Sequence, residues 1–289
     1  MADVAVIIPA RYQSSRYPAK PLAPLVGATG TPKPLIRRSW ECAAAIVDPA
    51  SIWIATDDDR IADAVRGFGG QVVMTAESCA NGTERCADAI ARLGIAPEIV
   101  VNLQGDAPLT PGHVVAALVD ALRATPDVAM TTPAIRCARS TYAHLVEDQA
   151  QGRVGGTTVV FSADRRALYF SKRVIPHLPP EAATMAFPPV HLHLGVYAYR
   201  PDALRRYVAM GVSELELLEG LEQLRFLAGG IAVGVVPFDP IEWDAIELNN
   251  PTDVAPIEAI LKARGIAQEE PWPVRFCVRS SRPGGPRNC

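Results

Sequence analysis

The strongest constraint on the fold is an alternation in the first 130 residues, where short apolar runs are separated by stretches with helical spacing. Residues 4–8, 51–56, 71–75 and 98–103 read as strands. They are apolar nearly throughout, as a strand covered on both faces must be. Residues 35–45, 60–68, 84–93 and 111–124 carry helical periodicity, with Pro34 near the first start and Gly69-Gly70 closing the second. That rhythm predicts a parallel sheet with helices on both faces.

After residue 130 the pattern changes. Residues 128–135, 157–161 and 167–170 read as strands without long intervening helices. Residues 193–199 and 231–237 read as further strands, 177–190 as a proline-rich loop, and 214–227 and 253–264 as helices. The expected fold class is therefore α/β, a mixed but mostly parallel sheet with an inserted β-rich lobe. One domain is expected over 1–267, with a first half to about residue 130 and a lobe over about 131–240. Residues 268–289, with Arg275, Arg279, Arg282 and Arg287 among prolines and glycines, are expected to form a flexible tail.

Of the 289 residues 49% are hydrophobic, enough for a large core, and the net charge of −3 argues against a nucleic-acid binder. No apolar stretch approaches the roughly 20 residues of a membrane span. The start of the chain lacks a basic region followed by an apolar segment. A cytoplasmic protein with neither a membrane nor a nucleic-acid partner is expected. The six cysteines form no Cys-x-x-Cys pair and read as free thiols.

Chemistry concentrates in loops that follow strands. In an α/β sheet these lie at the carboxyl edge, where ligands bind. The first runs Pro9-Ala10-Arg11-Tyr12-Gln13-Ser14-Ser15-Arg16-Tyr17-Pro18-Ala19-Lys20. Arg11, Arg16 and Lys20, with no acid between them, would repel one another unless an anion such as a nucleoside triphosphate bound there. The loop is not a Walker A sequence. At the same edge comes Gln104-Gly105-Asp106-Ala107-Pro108. Asp106 is a hard oxygen donor suited to magnesium, and Gly105 permits close backbone approach. Read alone, the segment is also an ordinary Gly-Asp turn. Asn81-Gly82-Thr83-Glu84-Arg85 opens a helix, with Thr83 as a candidate cap.

The order Pro-Ala-Arg-Tyr-x-Ser-Ser-Arg-x-Pro-x-Lys-Pro-Leu resembles the signature of the sugar-acid cytidylyltransferases, above all the CMP-Kdo synthetase family (Kdo is 3-deoxy-manno-octulosonate). Gln104–Pro108 resembles that family's Gln-Gly-Asp-x-Pro, whose Asp holds magnesium. Residues 81–85 resemble its Ser-Gly-Thr-Glu-Arg, which lies near the cytosine, with Asn81 in place of serine. His193-Leu194-Gly195-Val196-Tyr197-Ala198-Tyr199-Arg200 resembles His-Leu-Gly-Ile-Tyr-Gly-Tyr-Arg. Ser213, Leu215, Glu216, Glu219 and Leu221-Glu222-Gln223-Leu224-Arg225 match a further family helix.

The resemblance covers residues 4–265. It implies a Rossmann-like nucleotidyltransferase fold, a homodimer, Mg2+ as cofactor, and CMP transfer from CTP to a small acidic acceptor with release of pyrophosphate. It further implies Arg11, Lys20 and Asp106 as catalytic residues. Pro9, Ala10, Arg11, Ser14, Ser15, Arg16, Lys20, Asn81, Gly82, Thr83, Arg85 and Gln104 would contact CTP. Lys172, Arg173, His193, Tyr197, Glu216 and Gln223 would meet the acceptor, and Asp106 and Asn249 the metal. On one helix, Glu216, Glu219 and Gln223 would share a face. Without the resemblance that pattern reads as a solvated acidic face, and His193 as a structural histidine.

Three departures bear on the acceptor. Asn249 stands where the family has a second metal-binding Asp, so a second metal would bind more weakly, sit elsewhere, or be helped by Asp244 or Glu247. Lys172 replaces an arginine and cannot form a bidentate clamp on a carboxylate. Thr158 replaces a lysine. The expected activity is transfer to a sugar acid of the Kdo type. Alternatives are the same chemistry on a phosphonate such as phosphonoformate, transfer to an amino-sugar acid, and a non-catalytic nucleotide-binding relative. The presence of Lys20 and Asp106 speaks against the last.

Overall fold

The structure, a computed structural model, describes residues 3–13, 17–240 and 247–265. Its first half realises the alternation. In chain order come β1 (Val4–Pro9), a small ribbon of β2 (Pro24–Val26) and β3 (Pro32–Pro34), α1 (Leu35–Ala44), β4 (Ile52–Thr56), α2 (Asp59–Gly67), β5 (Gln71–Met74), α3 (Gly82–Leu93), β6 (Ile99–Leu103) and α4 (Gly112–Ala124). β1 pairs in parallel with β4 on one side and β6 on the other, and β4 pairs in parallel with β5. Val4, Val6 and Ile8 enter a core with Ile36 of α1, Ile61 and Val65 of α2, and Val115 and Leu118 of α4. Ile7 enters the core on the opposite face with Cys86 and Ala89 of α3. Coverage on both faces is why β1 carries no polar side chain.

The second half continues the same sheet. It contains β7 (Met130–Arg136), α5 (Arg139–Ala150), β8 (Thr157–Phe161), β9 (Ala167–Ser171), α6 (Pro180–Ala183), β10 (His191–His193), β11 (Val196–Tyr199), α7 (Pro201–Ala209), α8 (Glu214–Glu219), α9 (Leu224–Ala228), β12 (Val233–Phe238) and α10 (Val254–Arg264). β11 lies between β6 and β7, antiparallel to both. β7 also pairs with β12 in parallel and with β10 antiparallel, and β10 leads through β8 to β9. The result is one mixed ten-stranded sheet whose β-rich portion extends the parallel half. Among the described residues, no helix is long and apolar enough to cross a membrane.

Several elements differ from the sequence expectation. α5 occupies a stretch expected to hold no long helix, and it buries only Leu145 and Asp148. With so narrow a buried stripe, its sequence carries almost no helical periodicity. Residues 193–199 form two strands, broken at Leu194-Gly195, and not one. Residues 214–227 are interrupted at Gly220, whose φ of 60° is left-handed and ends α8. Glu216 and Glu219 therefore do not share a continuous helical face with Gln223. The cap of α3 is Asn81 and not Thr83. The expected tail, 268–289, lies outside the described residues.

Candidate functional site

The loops after β1 and β6 and the N-terminus of α3 enclose a cavity of about 270 Å³. Pro9, Ala10, Arg11, Lys20, Asn81, Gly82, Arg85, Gln104, Gly105, Asp106 and Asn249 all line it. Most of the positions expected to meet CTP and metal are thus brought together at the carboxyl edge. Thr83 stands behind the wall, its hydroxyl 2.8 Å from that of Tyr199. Ser14, Ser15 and Arg16 lie outside the described residues, as does Asp244.

Local chemistry explains the cavity's shape. A Cβ on Gly105 would lie 2.6 Å from the carbonyl oxygen of Pro9, so only glycine lets the β1 and β6 loops approach this closely. The sequence assigned Gly105 to ligand approach, whereas its nearest neighbour is the protein's own backbone. Ser39 of α1 donates to the Gly105 carbonyl at 2.9 Å and fixes the turn. The Asp106 carbonyl accepts from Leu248 N at 2.9 Å, which fastens the segment that carries Asn249 to the cavity wall. The Asp253 carboxylate accepts from the backbone N–H groups of Asn249 (2.8 Å) and Asn250 (2.7 Å).

Charge is arranged across the cavity. Lys20 Nζ lies 2.6 Å from Asp106 Oδ2. Arg85 is buried and held from behind, donating to Asp57 Oδ2 at 2.8 Å and Thr75 Oγ1 at 2.6 Å. Asn81 caps α3 by accepting from Glu84 N at 2.9 Å. Asn81 and Gly82 bring this helix N-terminus to the cavity wall, and its positive end already holds the Glu222 carboxylate, which accepts from Thr83 N at 2.9 Å.

On the other side of α3 lies a buried polar row. His193 Nε2 is 2.9 Å from Thr132 Oγ1, and the ring packs edge-on to Phe170 with centroids 5.0 Å apart. Tyr197 donates to Gln223 Oε1 at 3.3 Å. Gln223 Nε2 and both polar side-chain atoms of Asn102 are buried with no partner among the described residues. Such groups are costly unless a ligand or water completes them. Asn102 is the cross-strand neighbour of Tyr197, so these amides and the phenol lie along one face.

Burial lowers the His193 pKa to about 3, so the ring is neutral. In the unfolded chain it would titrate near 6.5. Its contribution to stability is full above that value and is lost as pH falls towards 3. By pH 5 the loss amounts to about 2 kcal/mol. The Tm of the wild type is expected to fall more steeply between pH 7 and pH 5 than that of His193→Gln. Parallel slopes would contradict this.

The remaining acceptor positions are placed differently. Glu216 is clamped by Arg225 through two hydrogen bonds of 2.7 Å. Lys172 and Arg173 are exposed just beyond β9. The Glu219 carboxylate accepts from Ser171 Oγ at 2.7 Å and Lys172 N at 2.9 Å. Glu222, which matches the family motif but receives no role from the sequence, holds a central place. It accepts from Thr83 N at 2.9 Å and from Gln104 Nε2 at 3.4 Å, and burial pushes its carboxyl pKa up. Gly220 carries the signal that was missed. A helix ending there turns the next residues inward.

Known proteins resemble this chain along most of its length. The cytidylyltransferase family matches residues 5–233. The 3-deoxy-manno-octulosonate cytidylyltransferase of Maricaulis maris is 44% identical over 265 residues, 91% of this chain and 98% of that one. The 8-amino-3,8-dideoxy-manno-octulosonate cytidylyltransferase of Shewanella amazonensis is 40% identical over 249 residues, 85% of this chain and 95% of that one. Among solved structures, CMP:2-keto-3-deoxy-manno-octonic acid synthetase complexed with CTP matches with a TM-score of 0.75 and 31% identity, over 92% of this chain and 99% of that one. The chain belongs to the cytidylyltransferase family, within its CMP-Kdo synthetase group, and is a CTP-dependent nucleotidyltransferase.

Proposed function

We propose that the protein transfers CMP from CTP to a sugar acid of the Kdo type and releases pyrophosphate. The observation that carries this reading is the cavity at the carboxyl edge, where Lys20 faces Asp106 beside the N-terminus of α3. Relatives named for octulosonates favour a sugar acid over a phosphonate.

An acceptor oxygen attacks the α-phosphorus of CTP in line, and pyrophosphate leaves. Catalysis of this kind is mostly positioning and charge stabilisation. Arg11 and Lys20 hold the triphosphate and neutralise the leaving group. The first turn of α3 and Gln104 border the nucleoside. Tyr197, His193, Gln223 and Asn102 offer neutral hydrogen-bonding groups to the many hydroxyls of a sugar acid.

The site fits magnesium, because Asp106 and Asn249 present hard oxygen donors on one wall. Magnesium bound there would neutralise phosphate oxygens and increase the acidity of the attacking hydroxyl. Asn249 adds no charge, and the Glu247 carboxylate, which accepts from Asn249 Nδ2 at 3.4 Å, stands beside it.

A homodimer and a cytoplasmic location belong to the same proposal. Supporting the dimer, Leu217 and Leu218 on α8 are 72% and 75% exposed, with Val208 and Val212 exposed just before them. Apolar side chains exposed to this degree are what a second copy would cover. The functional test is pyrophosphate release from CTP and Mg2+ with Kdo, 8-amino-3,8-dideoxy-manno-octulosonate, phosphonoformate or no acceptor. Release with an octulosonate and none with phosphonoformate is expected. Release with phosphonoformate alone, or with no acid at all despite CTP binding, would overturn the reading.

A further inference from the structure

A closed ring of buried and half-buried polar contacts joins the two sides of this site, and we propose that it couples nucleotide binding to acceptor binding, with Asn81 and Tyr207 as positioning residues. The inference rests on the functional reading above.

The ring begins at the nucleotide cavity. Asn81 uses both ends of its amide. Its Oδ1 caps α3 by accepting from Glu84 N at 2.9 Å, and its Nδ2 donates to Tyr207 Oη at 2.9 Å and approaches Glu216 Oε1 at 3.4 Å. Tyr207 is fully buried, and its hydroxyl lies 3.2 Å from the Glu222 carbonyl and 3.3 Å from Glu216 Oε1. Arg225 grips Glu216 with two bonds of 2.7 Å, reaches Glu84 at 3.0 Å, and stacks over the Tyr207 ring at 4.1 Å. The circuit returns to α3 through Glu84. Arg225 pairs with both Glu216 and Glu84, so a shift at α3 is passed to α8 and to the turn after it.

The ring's position gives it a role beyond stability. Asn81 lines the nucleotide cavity together with Gly82 and Arg85. Its partner Tyr207 holds the turn just after Gly220 by donating to the Glu222 carbonyl at 3.2 Å, and that turn carries Glu222 and Gln223. Glu222 meets Thr83 N at 2.9 Å, and Gln223 meets Tyr197 at 3.3 Å while its Nε2 stays buried without a partner among the described residues. A nucleotide that fixes the N-terminus of α3 thereby fixes Gln223 for the acceptor. Serine at position 81 would cap the helix, but its single short hydroxyl cannot also reach Tyr207 as a donor. An amide performs both tasks.

Tyr207→Phe tests this directly. It keeps the ring, its packing and its place under Arg225, and removes only the hydroxyl. Kdo binding is measured by calorimetry with and without a non-reactive α,β-methylene analogue of CTP. The wild type is expected to bind Kdo at least about fivefold more tightly with the analogue present. Tyr207→Phe is expected to bind the analogue within about twofold of wild type, with the Kdo ratio falling towards one. Asn81→Ser is expected to lose the ratio in the same way, and the double variant to lose no more than either single one. A full ratio in both single variants, or a ratio of one in the wild type, would overturn the coupling. A wild type that neither binds Kdo nor releases pyrophosphate with it would instead overturn the functional reading, and the coupling with it.

Discussion

Replacing Asp106 by alanine is expected to lower kcat on the order of a thousandfold, the scale on which charge stabilisation of a transition state is lost. Among the described residues that line the cavity, Asp106 supplies the one carboxylate. Asn249 can offer an oxygen but no charge. The fold should survive, because the Lys20–Asp106 pair is partly exposed and pairs of that kind contribute little to stability. The sign of a second effect separates metal chemistry from simple damage. In EDTA, CTP should bind the variant as tightly as the wild type or more tightly, since Lys20 is released from its carboxylate towards the phosphates. Turnover within tenfold of the wild type would show that Asp106 does not carry the reaction.

Arg225→Met is expected to cost about 3–5 kcal/mol of stability, the usual penalty when one partner of a buried ion pair is removed. Arg225 and Glu216 are both buried, and the substitution leaves the Glu216 carboxylate without its two 2.7 Å donors. Glu84 loses its 3.0 Å contact as well. For a chain of this size the melting temperature should fall by roughly 10 °C. Adding Glu216→Leu should restore much of the loss, because the orphaned charge and not the missing arginine dominates the penalty. A Tm within about 2 °C of wild type in the single variant would contradict the account of the ion pair.

What the sequence revealed follows from the range of the interactions. The loops at Arg11–Lys20 and Gln104–Asp106 were legible because a strand end fixes a loop's place at the sheet edge. α2 and α3 were legible because one face of each is apolar. α5 was not, since it buries only Leu145 and Asp148 and its pattern carries no stripe. Asn81 and Thr83 are both good capping residues, and only the backbone geometry selects Asn81. The inward turn after Gly220 depends on a single left-handed glycine, and reading 214–227 as one helix hid Glu222. The antiparallel insertion of β11 between β6 and β7 is a tertiary choice that no local pattern encodes. It sets Tyr197 beside Asn102 and so builds the polar row.

The most direct test of the central claim is the phosphorus balance of one reaction, followed by 31P NMR with CTP, Kdo and Mg2+. The account predicts that the three CTP resonances give way to one phosphodiester resonance from a CMP-linked sugar acid and one of pyrophosphate, in equal molar amounts. Persistence of CTP, or its conversion to CDP and free phosphate without a phosphodiester, would contradict it.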